Sequence, residues 1–322
     1  LGIRADANNY SKSMNNLIDQ ASPRFSLSYQ LAPKWSLNFN TGRYYQLPPY
    51  TTLGFSNQQG DLINKRNGLK YISADHMVGG FQFLPNNQSK ISLEGFYKNY
   101  NNYPFSLEDS ISIANKGVDF GSYGDEEVKS VAEGRAFGLE LLFRHQDLFG
   151  LNMILSYTYV RSEFRELNNQ LELTGNYIPS SWDNRHLLNV TATREFKNNW
   201  QLGLKWRYVG GTPYTPLDRQ KSAQIFAWNA RGRAYPDYER LNSARLDPFH
   251  QLDLRIDKQY FFDNWSLMLY LDVQNVYNFT ADEPPILIRK TNEEGNPLTD
   301  PENPNRYILK DLKVEESGNI LP

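Results

Sequence analysis

The stretch Trp200-Gln201-Leu202-Gly203-Leu204-Lys205-Trp206-Arg207-Tyr208 decides how this chain folds. Trp200, Leu202, Leu204, Trp206 and Tyr208 are apolar or aromatic, and the residues between them are small, polar or charged. Strict alternation puts the two sets on opposite faces of an extended strand, a period no helix can present. The pattern recurs outward in both directions. Phe25, Leu27, Tyr29 and Leu31 alternate with Ser26, Ser28 and Gln30, and Trp35, Leu37 and Phe39 alternate with Ser36, Asn38 and Asn40. Ile91 and Leu93 flank Ser92. Phe137, Leu139, Leu141 and Phe143 carry one phase of a later stretch, and Leu188, Val190 and Ala192 that of the next. Leu252, Leu254 and Ile256 interleave Asp253, Arg255 and Asp257; Leu267, Leu269, Leu271 and Val273 interleave Met268, Tyr270 and Asp272. With weaker segments near 1–10, 70–84 and 150–164, about eleven strands are expected, each near the roughly 9–11 residues that cross a bilayer. No segment reads as an amphipathic helix.

Composition agrees only once the alternation is known. The chain has 322 residues, 34 Lys+Arg against 36 Asp+Glu, and no cysteine. A net charge of −2 gives no footprint for nucleic acid, and the missing cysteines exclude disulfides, thiolate metal sites and a cysteine nucleophile. No run of about 18 apolar residues offers a transmembrane helix. Aromatic residues nevertheless make up 14% of the chain. Aromatic wealth at a mean hydropathy of −0.64 fits a transmembrane β-barrel, in which only every second residue meets lipid.

The connections support that reading. Short turns fall at Ala32–Lys34, Pro85–Gln88, Asp147–Gly150, Lys197–Asn199 and Asp263–Asn264. They alternate with long segments near 47–69, 106–132, 165–179, 213–245 and 280–306. All tight turns therefore lie at one end of the sheet and all long loops at the other, as periplasmic turns and extracellular loops do. Trp35, Trp200 and Trp265 directly follow turns, as an interfacial girdle requires. The second girdle is expected from Tyr44 and Tyr45, Tyr97 and Tyr100, Tyr157 and Tyr159, Trp206 and Tyr208, and Tyr277 and Phe279.

Several segments, in order, resemble TonB-dependent outer-membrane receptors, especially the Bacteroidetes type. They are Ser22-Pro23-Arg24-Phe25, Gly42-Arg43-Tyr44-Tyr45-Gln46-Leu47-Pro48-Pro49 and Trp182-Asp183-Asn184-Arg185-His186, where Asn184 replaces the commoner Gln. Gly210-Gly211-Thr212-Pro213-Tyr214-Thr215-Pro216, Phe249 through Lys258, and Asp272 through Asn278 follow. The resemblance implies a 22-stranded barrel of which this chain is the C-terminal half. The first strands, the N-terminal plug, the TonB box and a final strand would lie outside it, with Gly318–Pro322 leading into that last strand. It also implies an outer-membrane receptor for active uptake of a scarce solute, whether siderophore-iron, cobalamin, glycan or peptide. Its partners would be membrane lipid, its own plug, TonB with ExbB and ExbD, and a surface lipoprotein. No cofactor is implied.

Charged residues in the polar phase are expected to face the lumen or plug: Glu94, Glu140, Arg144, Lys205, Arg207, Asp253, Arg255 and Asp272. A mid-bilayer Arg or Lys facing lipid costs about 2–4 kcal/mol. The girdle residues are Trp35, Trp200, Trp265, Tyr45, Tyr208 and Tyr277. Loop 213–245 carries a candidate ligand set of Tyr214, Trp228, Arg231, Arg233, Tyr235 and Tyr238, suited to stacking and anion pairing. Ordinary loop packing is the equal alternative. The four histidines, His76, His145, His186 and His250, show no metal-ligand spacing, and no nucleophile elbow occurs. His186 is expected to bond within the Asp183–Arg185 cluster. Three other readings stay open: a passive porin or complete 12-stranded barrel, a scaffold within a larger outer-membrane complex, and a hydrolase built on Ser180 or Ser181, Asp183 and His186.

Overall fold

The computed structural model describes residues 1–116, 124–168 and 170–312. The lead-in at Gly318–Pro322 and part of loop 106–132 lie outside them. Along the chain run β1 (Gly2–Ala5), β2 (Ala21–Ala32), β3 (Trp35–Gln46), β4 (Ile72–Phe83), β5 (Ser89–Ser106), β6 (Val128–Leu148) and β7 (Leu151–Leu167). Then come β8 (Leu173–Pro179), β9 (Arg185–Phe196), β10 (Trp200–Val209), β11 (Pro213–Tyr214), β12 (Ala244–Arg245), β13 (Phe249–Phe261) and β14 (Ser266–Val273). A last hairpin joins β15 (Ile286–Arg289) to β16 (Leu309–Leu312).

Eleven of these strands form one antiparallel sheet in the order β1-β2-β3-β4-β5-β6-β7-β9-β10-β13-β14, with β8 added to the upper part of β7. Each strand pairs with its neighbour along the path, so the wall is an up-and-down meander. The five short turns join strands where expected. At the β9–β10 turn, Asn198 and Asn199 take left-handed conformations that asparagine tolerates. Two expectations change. Residues near 1–10 give only four strand residues, because Tyr10 and Met14 turn away into a loop core; Tyr10 donates to the Leu53 carbonyl at 2.7 Å. β6 also takes up the end of the expected 106–132 loop, starting at Val128, and β5 and β6, at 18 and 21 residues, are longer than a bilayer needs. The helices, such as α1 (Tyr50–Gly54), α2 (Ile63–Arg66), α3 (Arg219–Ala223) and α4 (Ile225–Arg231), are short loop turns.

The apolar residues are distributed inside out. Leu27, Leu37, Leu139, Leu202 and Leu269 are exposed on the strands, whereas Met14, Leu69, Phe105, Ile113 and Val128 are buried among the loops. Strand leucines are the surface that lipid covers; the loops supply their own core above it. Met14, Leu53, Leu69, Tyr71, Ile113 and Val128 form one loop cluster, and Phe105, Ala132 and Leu167 a second.

Polar clamps join the loops into one cap. The buried Asn64 amide donates to the carbonyls of Thr52 and Glu126, each at 2.8 Å, and accepts from Val128 N. Lys116 sits between Asp109 and Glu126, 2.6 Å from each. Burial alone would lower the Lys116 pKa; its hydrogen bonds to the two carboxylates outweigh this and raise it. Asn242, at φ 50°, donates to the carbonyls of Asn115 and Pro179, tying three loops together. Asn242→Ala strands both carbonyls and should cost about 1–3 kcal/mol of local stability. Hydrogen exchange should then quicken in 179–184 and 213–245 while β9 and β10 keep their protection; unchanged exchange in those loops would refute the clamp.

Candidate functional site

The register sorts the side chains into two faces. Glu94 lies opposite Glu140, Lys205 opposite Asp253, and Arg255 opposite Asp272, and the alternation carries Arg144 and Arg207 to this same face. Trp35, Tyr45, Trp200 and Tyr208 occupy the other face. Trp35, Trp200 and Trp265 stand exposed at the turn end, Trp35 stacked on Phe83 at 4.2 Å. At the loop end, Tyr277 bonds His250 at 2.7 Å.

On the charged face, β10, β13 and β14 balance themselves. Arg207 donates to Gln251 at 2.7 Å, Gln251 to Asp253 at 2.6 Å, and Arg255 to Asp257 at 2.7 Å. β5 and β6 do not. Glu94 faces Glu140 and Lys90 faces Arg144, like against like, and none of the four makes an ion pair among the described residues. Such pairs are destabilising on an isolated wall.

The expected second girdle divides. Tyr45, Tyr97, Tyr157, Tyr159, Trp206 and Tyr208 are on the lipid face, but Tyr44 and Tyr100 are on the inner face. The correction is one of parity: in a regular stretch of strand, neighbours or residues three apart fall on opposite faces. The inner row runs Tyr44, Ala74, Tyr100, Gly134 and Phe164 across five strands. A Cβ on Gly134 would lie 2.6 Å from the Phe164 ring, so only glycine lets that ring lie flat there, 6.0 Å from Tyr100 and stacked on it. Tyr103 meets Phe164 edge-on at 4.8 Å, and Tyr44 lies 4.5 Å from His76. With Trp182, which is 60% exposed, these rings line a cavity of about 890 Å³ at the loop end of the inner face. Arg4 and Asp6 also border it, paired with each other at 2.6 Å. Tyr44, Tyr100 and Phe164 were legible from alternation, whereas Tyr103 was not: an irregularity between Tyr100 and Tyr103, with Asn102 at φ 57°, returns it to the inner face.

One junction holds the cavity's edge. Asp183 is fully buried and accepts Ser162 N at 2.8 Å from β7. It pairs with Arg245 of β12, with Arg161 at 3.4 Å and with Arg185 at 3.7 Å. Arg245 also reaches the Asp183 and Gly211 carbonyls at 2.6 and 2.8 Å. Gly210 and Gly211 permit this crossing: a Cβ on either would lie 2.2 Å from the Asn184 carbonyl or 1.8 Å from the Leu246 carbonyl. Trp182 is thus presented by a neighbour held by Ser162, Arg245, Arg161 and Arg185.

His186 meets the Asp183–Arg185 segment through its backbone, its N–H donating to the Asn184 carbonyl at 2.7 Å, but its side chain does not join the junction. Its Nδ1 bonds the Tyr157 hydroxyl at 2.8 Å on the lipid face, while Ser180 donates to Ser162 at 2.7 Å and Asp183 is taken by arginines. The trial Ser–Asp–His arrangement is not formed, because no histidine meets the serine or the acid. Of the loop set, Trp228 is 5% exposed, and Arg289 lies 5.6 Å over its ring. Tyr235 donates to the Ala227 carbonyl at 3.0 Å and carries Arg231 at 4.9 Å over its ring; Tyr238 donates to Asp109 at 3.3 Å. Tyr214 sits in the β11–β12 ladder, and Arg233 is on the surface of the same loop. Trp228, Tyr235 and Tyr238 are thus engaged in packing within the cap, while Arg233 is exposed and Phe226, 75% exposed, is the loop's outward aromatic.

An antiparallel wall with a lipid-facing leucine band, turns at one end and a packed loop cap over an aromatic inner cavity is the wall of an outer-membrane receptor barrel. Residues 1–276 match the family model described as TonB dependent receptor-like, beta-barrel, and the chain belongs to that family. No curated protein sequence matches it. Similar solved structures include the ferric-catecholate import receptor Fiu from Escherichia coli K12 (TM-score 0.53, 12% identity, 90% of this chain and 33% of that one). The unliganded ferric citrate transporter FecA is another (0.54, 17%, 90% and 37%), as is the FrpB iron transporter from Neisseria meningitidis (0.54, 15%, 81% and 35%). The chain spans about a third of the length of these proteins, and the likeness is one of fold.

Proposed function

We propose that this chain is the C-terminal part of the barrel of a receptor that takes up a scarce solute in a TonB-dependent manner. The observation that carries the reading is the aromatic cavity at the loop end of the inner face, where a solute arriving from outside first meets the wall. The unneutralised Glu94–Glu140 and Lys90–Arg144 pairs supply a reason for a plug: an inserted domain of complementary charge would relieve both. TonB, with ExbB and ExbD, would act through that plug, and a surface lipoprotein could dock on the loop cap.

The test is uptake in cells expressing the full-length receptor. Tyr100→Ala and Trp182→Ala should each weaken solute binding about tenfold, the loss of one ring contact of about 1–1.5 kcal/mol. Transport should vanish in a strain without TonB, although surface binding persists. Solute binding indifferent to both ring variants would remove the cavity from the mechanism, and transport that survives without TonB would argue for a passive pore.

A further inference from the structure

The lipid-facing side of the wall carries a concavity of its own, on the face opposite the aromatic cavity. Its floor is Gly79 of β4 and Gly95 of β5, which lie directly opposite one another in the register. Phe39 bounds it on the β3 side and Leu139 on the β6 side, with Met77 and Tyr97 one row nearer the loops. The trough has a volume of about 530 Å³.

Its glycines differ from those around them. A Cβ on Gly80, Gly134 or Gly138 would lie 2.4, 2.6 or 1.9 Å from a neighbouring atom, so packing or backbone approach forces glycine at those positions. At Gly79 the nearest atom would be Phe39 Cδ2 at 3.7 Å, and at Gly95 it would be Leu139 Cδ2 at 3.4 Å. Both are ordinary van der Waals contacts, and neither residue has a positive φ. Nothing inside the protein requires glycine at either place. What the pair creates is a depression between Phe39 and Leu139, bordered by Met77, Tyr97, Phe137 and Tyr159.

The outer face changes character just above the trough. Two residues beyond Met77 and Tyr97 the register runs Arg43, Asp75, Asn99, Arg135 and Glu163, with Arg161 one row below. Three arginines thus stand beside the two carboxylates of this row, Arg161 being shared between Glu163 and Asp183. Arg43 spends Nε and one Nη2 hydrogen on Asp75, at 2.6 and 2.8 Å, and its side chain stays 48% exposed, leaving donors for a phosphate oxygen. Gly79 lies four residues from Asp75, roughly 13 Å along the strand, the distance from a headgroup to the upper part of its acyl chain.

We infer that the Gly79–Gly95 trough is a binding site for one acyl chain of a phosphate-bearing lipid of the outer leaflet, whose phosphate is held at Arg43. Native mass spectrometry of the full-length receptor in detergent, titrated with palmitoyl-oleoyl phosphatidylglycerol, tests it. The wild type should retain a bound lipid, and Gly79→Leu/Gly95→Leu should reduce the adduct at least fivefold. Arg43→Gln should reduce it too, and dioleoylglycerol, which lacks phosphate, should bind at least fivefold more weakly. Equal adducts in wild type and the double variant would overturn the site, and so would a receptor dimer abolished by the same substitutions, which would make the trough a protein contact. Should the double variant not fold, Tyr97→Trp reports the same site: brominated-chain lipid should quench it at least twofold more than it quenches a tryptophan placed at Leu37, and equal quenching would refute the proposal.

Discussion

Asp183→Ala should unfold the upper end of the barrel wall before any part of the membrane sheet is affected. Asp183 is fully buried, and removing it leaves Arg245, Arg161 and Arg185 crowded together without their shared carboxylate. Breaking a buried pair by deleting one partner costs about 3–5 kcal/mol. Because the three arginine side chains keep 25%, 28% and 43% exposure, the lower end, about 3 kcal/mol, is the expectation here. Ser162 N also loses its acceptor. Asp183→Asn retains an acceptor for that amide but not the charge, so its loss should be smaller. Denaturant titration in detergent should show the Ala variant with a lower midpoint. Hydrogen exchange should localise the change to 180–186 and 211–216. Since Trp182 is adjacent, solute binding should weaken as well. A variant with unchanged midpoint and exchange would mean that the arginines find other partners and that the junction is not a brace.

The wall itself was readable because alternation is a one-dimensional signal. Trp200 through Tyr208 fixes two faces without knowledge of any neighbour, and the turn positions follow from where the alternation stops. The cavity needed one further step. Tyr44 and Tyr100 looked like girdle residues because aromatics at strand ends usually are, yet their phase relative to Phe39 and Tyr97 already placed them on the inner face. The Asp183 junction was beyond such reading. Its parts, Trp182 to His186, Gly210 to Pro216, and Arg245, are recognisable separately. That they meet depends on the register of β7 with β9, on the path of a long loop, and on two glycines whose purpose is another segment's carbonyl. Loop 213–245 could not be decided from the sequence for a related reason. A run of rings and arginines looks the same whether it greets a ligand or packs within the cap, and in the folded chain Trp228 is buried under Arg289 while Phe226 is exposed.

The assignment of faces makes the sharpest demand on stability. Leu204 lies at the middle of β10 on the leucine side, opposite Ala192 and Leu254. Leu204→Arg would place a guanidinium where lipid tails lie, at a cost of about 2–4 kcal/mol near the bilayer midplane. Gln201 is three residues away on the inner face, between Asp257 and Glu195. Gln201→Arg adds the same charge beside two carboxylates, so its effect should stay within about 0.5 kcal/mol of zero. Leu202→Arg, on the lipid face but nearer the turn, should fall between them as depth decreases. Urea-dependent folding of the full-length receptor into phospholipid vesicles would rank the three. Equal costs for Leu204→Arg and Gln201→Arg would mean that both faces meet the same medium, which no barrel wall can do. The predicted order, with the large penalty confined to one parity, requires the alternation first seen in nine residues to be a boundary between lipid and lumen.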